Sequence, residues 1–175
     1  NTPTRPKVTL EVANTHTIAQ RVRDFELDIG MIEGELQASE LEMIPWREDR
    51  LVAFCSPQHP LAKKGSLTDD DLRSATWIMR EPGSGTRQSF ERGMHGLLPD
   101  LKVLLELEHT EAIKRAVEAN LGIGCLSEVV LADALKRGSL VPLSIPHRPF
   151  DRHFYFILHK QKYRSAGIDR WIQLC

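Results

Sequence analysis

Gly83-Ser84-Gly85-Thr86-Arg87 puts two glycines, two hydroxyls and a guanidinium into one short run. Glycine lets the backbone approach a ligand closely, hydroxyls donate hydrogen bonds, and a guanidinium holds two oxygens of a carboxylate or oxyanion at once. Lying between a strand and a helix, the loop would also present free amides and the positive end of the helix dipole, which together favour an anion. A plain capped helix start is the competing reading, because short Gly-rich runs recur by chance. Asn14-Thr15-His16-Thr17 and His109-Thr110-Glu111 occupy the same kind of place, the carboxyl end of a strand opening into a helix, where open α/β sheets bind ligands. Three helix N-termini converging on one cleft would make a site. Taken singly, Asn14, Thr15, Thr17 and Thr110 are ordinary N-caps. Glu33 ends the run Asp28-Ile29-Gly30-Met31-Ile32 and would project into the same cleft, where a cation must balance it beside an anion. Arg87 is the expected partner, by direct contact or through a shared ligand; a solvated strand-end carboxylate is the alternative.

Other chemistries find little support. There is no GxSxG elbow, P-loop or HExxH run, so no catalytic residue and no cofactor is expected. Seven histidines are scattered, and His153 and His159 stand too far apart along one strand to share a metal, so no metal site is expected. Cys55, Cys125 and Cys175 form no CxxC pair and cannot all be bridged within one chain, which favours a reducing cytoplasm. Cys125 beside Leu126-Ser127 reads as a small buried hydrophobe. Lys plus Arg number 23 against 24 Asp plus Glu, a formal charge of -1 that leaves no footprint for nucleic acid. The apolar runs are too short to span a bilayer, so no membrane segment is expected. Without an initiator Met or a secretory pattern at Asn1, the chain reads as a fragment.

The elements that would position these residues follow from periodicity in a 175-residue chain with 41% hydrophobic residues. Residues 8–13 alternate as a strand behind Pro6, Ile18, Val22 and Phe25 mark a helix face, and residues 27–32 read as a second strand. Together they predict a βαβ unit with a parallel pair. Residues 41–46 and 51–56 are two further strands, followed by a turn at Ser56-Pro57-Gln58-His59-Pro60. Thr68 caps a short acidic helix. A strand over 76–80, a helix over 88–97, a strand ending at Leu107, a Thr110-capped helix with Ile113 and Val117, and a strand over 123–126 come next. Ser127 caps a helix stopped by Gly138. Strands over 140–145 and 154–159 and a closing helix with Ile168, Trp171 and Ile172 complete an α/β alternation, with residues 51–56 and 140–145 as crossings between two lobes.

These residues resemble the effector-binding domain of LysR-type transcriptional regulators. The likeness is carried by residues 8–13 with Asn14-Thr15, Asp28-Ile29-Gly30, Glu48-Asp49-Arg50-Leu51-Val52, Trp77-Ile78-Met79-Arg80-Glu81-Pro82-Gly83-Ser84-Gly85-Thr86-Arg87, Glu111-Ala112-Ile113, Asn120-Leu121-Gly122-Ile123-Gly124-Cys125-Leu126-Ser127 and Gly138-Ser139-Leu140. The resemblance implies a type 2 periplasmic-binding-protein-like fold, with residues 1–52 plus 143–175 as lobe I and 53–142 as lobe II. It implies a small anionic effector between the lobes, touching Asn14, Thr15, His16, Thr17, Glu33, Gly83, Ser84, Gly85, Thr86, Arg87, His109, Thr110, Glu111 and Ser127. It also implies DNA binding through an N-terminal winged helix-turn-helix absent from this chain, homodimeric effector domains and a homotetrameric whole. The family's first strand and helix would precede Asn1. Ile32-Glu33-Gly34 with residues 80–87 resembles the subgroup tied to sulfur assimilation and sulfite response, for which a small oxyanion suits converging helix N-termini.

An extracytoplasmic solute-binding protein for a small oxyanion is the alternative, weakened by three cysteines with no evident pairing. An enzyme on the same fold would need an acid-base pair, for which Glu33 and His109 are the available residues.

Overall fold

The computed structural model describes residues 7–175. Its organising element is β2, a single 15-residue strand, Leu41–Cys55, that runs through both halves of the molecule. Residues 41–46 and 51–56, expected as two strands, are thus one. Pro45 sits on its exposed side at a register shift between Pro45 and Arg47, so the missing amide breaks no continuous ladder. The first two thirds of β2 pair antiparallel with β7, Asp151–His159, from Leu41 opposite His159 to Arg50 opposite Asp151. Its last residues pair instead with β5, Gly124–Ser127, and β6, Val141–Leu143.

Lobe I forms around the first pairing. β1, Gly30–Glu33, adds to the free edge of β7, with Gly30 opposite Ile157 and Glu33 opposite Phe154. Helix α1, Thr15–Arg23, capped by the Asn14 side chain on the Thr17 amide, lays Ile18, Ala19 and Val22 over Ile32, Leu41 and Ile157. The helix at 15–23 is as expected, but the strand at 8–13 does not form. Residues 7–14 carry no ladder hydrogen bond among the described residues, and Val8, Leu10 and Val12 stand 66%, 77% and 93% exposed. An alternating run becomes a strand only against a partner, and residues 7–14 pair with no strand among the described residues, β1 meeting only β7 and standing at the edge of its sheet. The expected parallel βαβ unit is therefore absent here, β1 starting at Gly30 rather than at residue 27 and running antiparallel to its neighbour. Pro6 lies outside the described residues.

Lobe II carries the parallel pairing. β3, Thr76–Arg80, lies parallel to β4, Lys102–Leu107, and on its other side meets Ile123 through the Ile78 amide to the Ile123 carbonyl at 2.8 Å and the Ile123 amide to the Thr76 carbonyl at 2.8 Å. The run into β5 thus extends the same layer to β2. Successive residues of β2 feed opposite faces, as the strand period demands. Leu51, Ala53 and Cys55 join Trp77, Phe90 and Met94 on one side, and Val52 and Phe54 join Ile113, Val117 and Leu131 on the other.

The surrounding helices are set by their caps. Thr68 and Asp71 form a capping box at α2, Asp69–Ser74, as expected. Helix α3, Gly85–Gly93, starts one turn earlier than residue 88 because the Ser84 hydroxyl takes the Arg87 amide. Helix α4, Thr110–Glu118, has His109 rather than Thr110 at its N-cap position, with no side-chain cap bond. Ser127 and left-handed Gly138 bound α5, Glu128–Arg137, as expected. The C-terminal α6, Ala166–Leu174, buries Ile168 and brings the Cys175 carbonyl to the Trp46 indole at 3.0 Å. The return crossing is not residues 140–145: β6 stays in lobe II, and the chain re-enters lobe I through the start of β7.

That return segment is clamped by Asp69, which accepts from Arg148 Nε and Nη2 at 3.1 and 3.0 Å and lies 2.8 Å from His147. The Arg148 bonds, helped by His147, hold the Asp69 carboxyl down at about 2. A depressed acid stabilises the fold above its unfolded pKa of about 3.9 and loses that contribution as pH falls through the folded value. The urea midpoint of Asp69→Asn should therefore fall less than that of the wild type between about pH 4 and pH 2. Phe54 is fully buried, and Phe54→Ala should cost about 3–5 kcal/mol in urea unfolding.

Candidate functional site

The C-terminal ends of β3 and β4 and of the strand through Ile123 point the same way, so the helices that follow them, α3, α4 and α5, open at one edge of the lobe II layer. This is the edge where parallel α/β layers offer helix N-termini to a ligand. Helix α1 of lobe I meets that edge directly. The His16 amide donates to the Gly83 carbonyl at 3.0 Å, and Asn14 Nδ2 donates to Glu81 Oε2 at 3.3 Å. Burial works against ionisation of Glu81, but bonds from Arg80 and Asn14 outweigh it and hold its carboxyl below the usual range.

The glycines of the loop serve this contact. A Cβ on Gly85 would collide with the Glu33 carbonyl oxygen and stand 2.5 Å from Thr15 Oγ1, and one on Gly83 would stand 3.2 Å from His16 Cβ. The close backbone approach expected toward a ligand is thus made toward the other lobe. Asn14, Thr15, His16, Thr17, Glu33, Gly83, Ser84, Gly85 and Thr86 are brought together. Asn14 and Ser84 act as caps, Thr15 and Thr86 are buried, and His16 and Thr17 are exposed.

Arg87 does not join Glu33. Its Nε donates to Glu91 at 2.8 Å, and its Nη1 donates to the Arg80 carbonyl at 2.7 Å and Glu106 at 3.2 Å, which turns the side chain along lobe II. His109, Thr110 and Glu111 share the sheet edge, but their hydrogen bonds stay local: the His109 carbonyl takes the Ile113 amide, and Glu111 takes Lys114 Nζ at 3.0 Å.

The cation facing Glu33 is Arg152, at the start of β7, a residue the motif reading passed over. Its side chain is 2% exposed. Nε donates to Asp49 Oδ2 at 2.7 Å and Nη1 to Thr86 Oγ1 at 3.2 Å, while Nη2 has no hydrogen-bond partner and lies 3.6 Å from Glu33 Oε2. Asp49, directly opposite Arg152 on β2, uses its second oxygen to accept from Ser127 Oγ at 2.7 Å. Thr86 in turn donates to Glu33 Oε2 at 2.8 Å. One buried network therefore joins both crossing strands, the caps or first turns of α3 and α5, and the end of β1. Cys125, buried nearby, has its thiol pushed up to about 12 by burial and opposed by Arg152, so it is a packing residue rather than a nucleophile. Cys55 is likewise raised to about 11 by burial. The signal for Arg152 was available: it shares the inward phase of β7 with Phe156 and Leu158, where a charge demands a partner.

Comparison with known proteins gives the same frame. The family model described as the LysR substrate binding domain matches residues 4–175. The HTH-type transcriptional regulator YeiE of Escherichia coli K12, described as uncharacterized, is 40% identical over 168 residues, 96% of this chain and 57% of that protein. The HTH-type transcriptional regulator CysL of Bacillus subtilis is 33% identical over 156 residues, 87% of this chain and 52% of that protein. The chain thus spans about half the length of these curated relatives. Among solved structures, the regulatory domain of CcmR from Synechocystis PCC6803, in complex with 2-PG, superposes with a TM-score of 0.86 at 31% identity, covering 96% of this chain and 81% of that one. The effector binding domain of QuiR in complex with shikimate shares the fold, with a TM-score of 0.81 at 21% identity over 92% of this chain and 76% of that one. With two α/β lobes on shared crossing strands, and with its match to the family model running almost end to end, this chain belongs to the LysR substrate-binding domain family.

Proposed function

We propose that this chain is the effector-sensing domain of a cytoplasmic LysR-type DNA-binding regulator. It binds a small anion, sulfite or a related oxyanion, at the junction of its lobes and biases one closure state, so that the rest of an oligomeric protein reads a conformational population. The observation that carries this is the meeting of the α1 and α3 N-termini beside a buried arginine whose Nη2 has no hydrogen-bond partner. The ligand set is Asn14, Thr15, His16, Thr17, Glu33, Gly83, Ser84, Gly85, Thr86 and Ser127, joined by Arg152; Arg87, His109, Thr110 and Glu111 leave it. Two of the relatives carry helix-turn-helix regulator names and one solved neighbour holds 2-PG, which supports this reading over an extracytoplasmic solute binder. The family role is regulatory, and no residue is assigned a catalytic part. No helix among the described residues is long and apolar enough to cross a membrane.

Calorimetric titration with sulfite, sulfate, phosphate and acetate tests the reading. At least one anion should bind, and Gly85→Ala should weaken it about tenfold or more by holding the lobes apart, a loss of about 1.4 kcal/mol. Arg87→Ala should leave affinity within about twofold, since that guanidinium is committed elsewhere. No binding by any of the four would sink the small-anion reading.

A further inference from the structure

Resting on that reading, we infer that Arg152 is the anchor for the anion and that Glu33 is its built-in competitor, a carboxylate that occupies the ligand's place until an oxyanion displaces it. Glu33 Oε2 takes the Thr86 hydroxyl at 2.8 Å. The same oxygen stands 3.6 Å from Arg152 Nη2, beyond hydrogen-bond reach, so the guanidinium keeps an unpaired N–H in a side chain that is 98% buried. The other two Arg152 nitrogens are satisfied by Asp49 and Thr86. The free N–H is therefore aimed at the position Glu33 only half fills.

Glu33 cannot close the gap by moving its backbone. It is held in register opposite Phe154, its successor's amide donates to the His153 carbonyl at 2.9 Å, and its own carbonyl lies against Gly85. A small free anion has no such tether. One oxygen at the Glu33 Oε2 position, shifted a few tenths of an ångström, would take both the Thr86 hydroxyl and the Arg152 Nη2 proton. A second oxygen would face the open first-turn amides of α3, which favour negative charge. The Glu33 side chain is 39% exposed, so it has a route into solvent when displaced.

Charge explains why displacement rather than addition is required. Arg152 already serves Asp49, and with Glu33 in place the cation is shared between two carboxylates. A third negative group would be repelled, whereas in an exchange one negative group leaves as the other enters. The exchange also changes which lobe is tied. Glu33 comes from β1 in lobe I and grips Thr86 in lobe II, so its release transfers the grip from the chain to the ligand.

Sulfite, sulfate, phosphate and acetate are titrated into the wild type, Glu33→Gln and the double variant Glu33→Gln with Arg152→Lys. Glutamine keeps the size and the Thr86 contact but removes the competing charge, and lysine keeps a cation for Asp49 while losing the free guanidinium N–H. Glu33→Gln should bind at least one of these anions about tenfold or more tightly than the wild type, and the double variant should lose that gain. Wild-type binding that Glu33→Gln leaves unchanged or weakens overturns the inference and leaves the small-anion reading standing. A gain that survives Arg152→Lys overturns Arg152 as the anchor. Absence of binding in both the wild type and Glu33→Gln overturns the inference together with the reading it rests on.

Discussion

The pairing of Arg152 with Asp49 is the constraint to which the junction answers. The two residues face each other across the two strands that carry the chain between lobes, and both side chains are almost completely buried. Neither charge tolerates burial alone, because removing one partner of such a pair leaves an uncompensated ion at a cost of several kcal/mol. Each also reaches for a further partner. The second Asp49 oxygen accepts from Ser127 and Arg152 Nη1 donates to Thr86, with Nη2 left over, and these partners are the N-cap of α5 and the second residue of α3. Satisfying one ion pair thus fixes two helix N-termini of lobe II against the crossing strands.

Against that anchored side, lobe I is fitted by surface shape. The α1 N-terminus and the end of β1 fit the Gly83–Gly85 stretch so closely that a methyl at either glycine would meet the opposing lobe. Among the described residues polar ties across the contact are few: His16 to Gly83, Asn14 to Glu81, Glu33 to Thr86, and an Arg92–Glu35 ion pair at 3.7 Å. An interface held by a handful of hydrogen bonds, each worth about 1 kcal/mol net, lies within reach of a ligand's differential binding energy. The glycines let the lobes meet, and the scarcity of bonds lets them part.

Local rules made much of this legible from the sequence. The Thr68 capping box, the Ser127 cap and the Gly138 stop all depend on neighbours within one turn, and all stand as expected. What failed depends on partners far along the chain. Residues 8–13 have the alternation of a strand and no strand beside them. Residues 41–55 look like two strands because Pro45 and the charged Arg47-Glu48-Asp49-Arg50 run interrupt the apolar pattern, yet the first part pairs with β7 and the rest with β5 and β6 without a break. Charge balance alone pairs Glu33 with Arg87, whereas the structure spends Arg87 on Glu91, Arg80 and Glu106. Arg152 lies just ahead of the strand expected over 154–159, and only its phase with Phe156 and Leu158 marks it as inward-facing.

The unbroken course of β2 through both sheets has a mechanical consequence. Chains that close by a loop hinge concentrate their motion in a few free dihedrals, but here the first crossing is a laddered ribbon with β7 up to Arg50 and with β5 from Leu51 onward. Relative rotation of the lobes must then be taken up as coiling along the ribbon, spread over many residues and resisted by the natural twist of the strands. The junction behaves as a torsion spring rather than a door hinge. In the proposed reading, a ligand at the helix N-termini would set its angle of wind, and an element fused to lobe I would be turned through that angle.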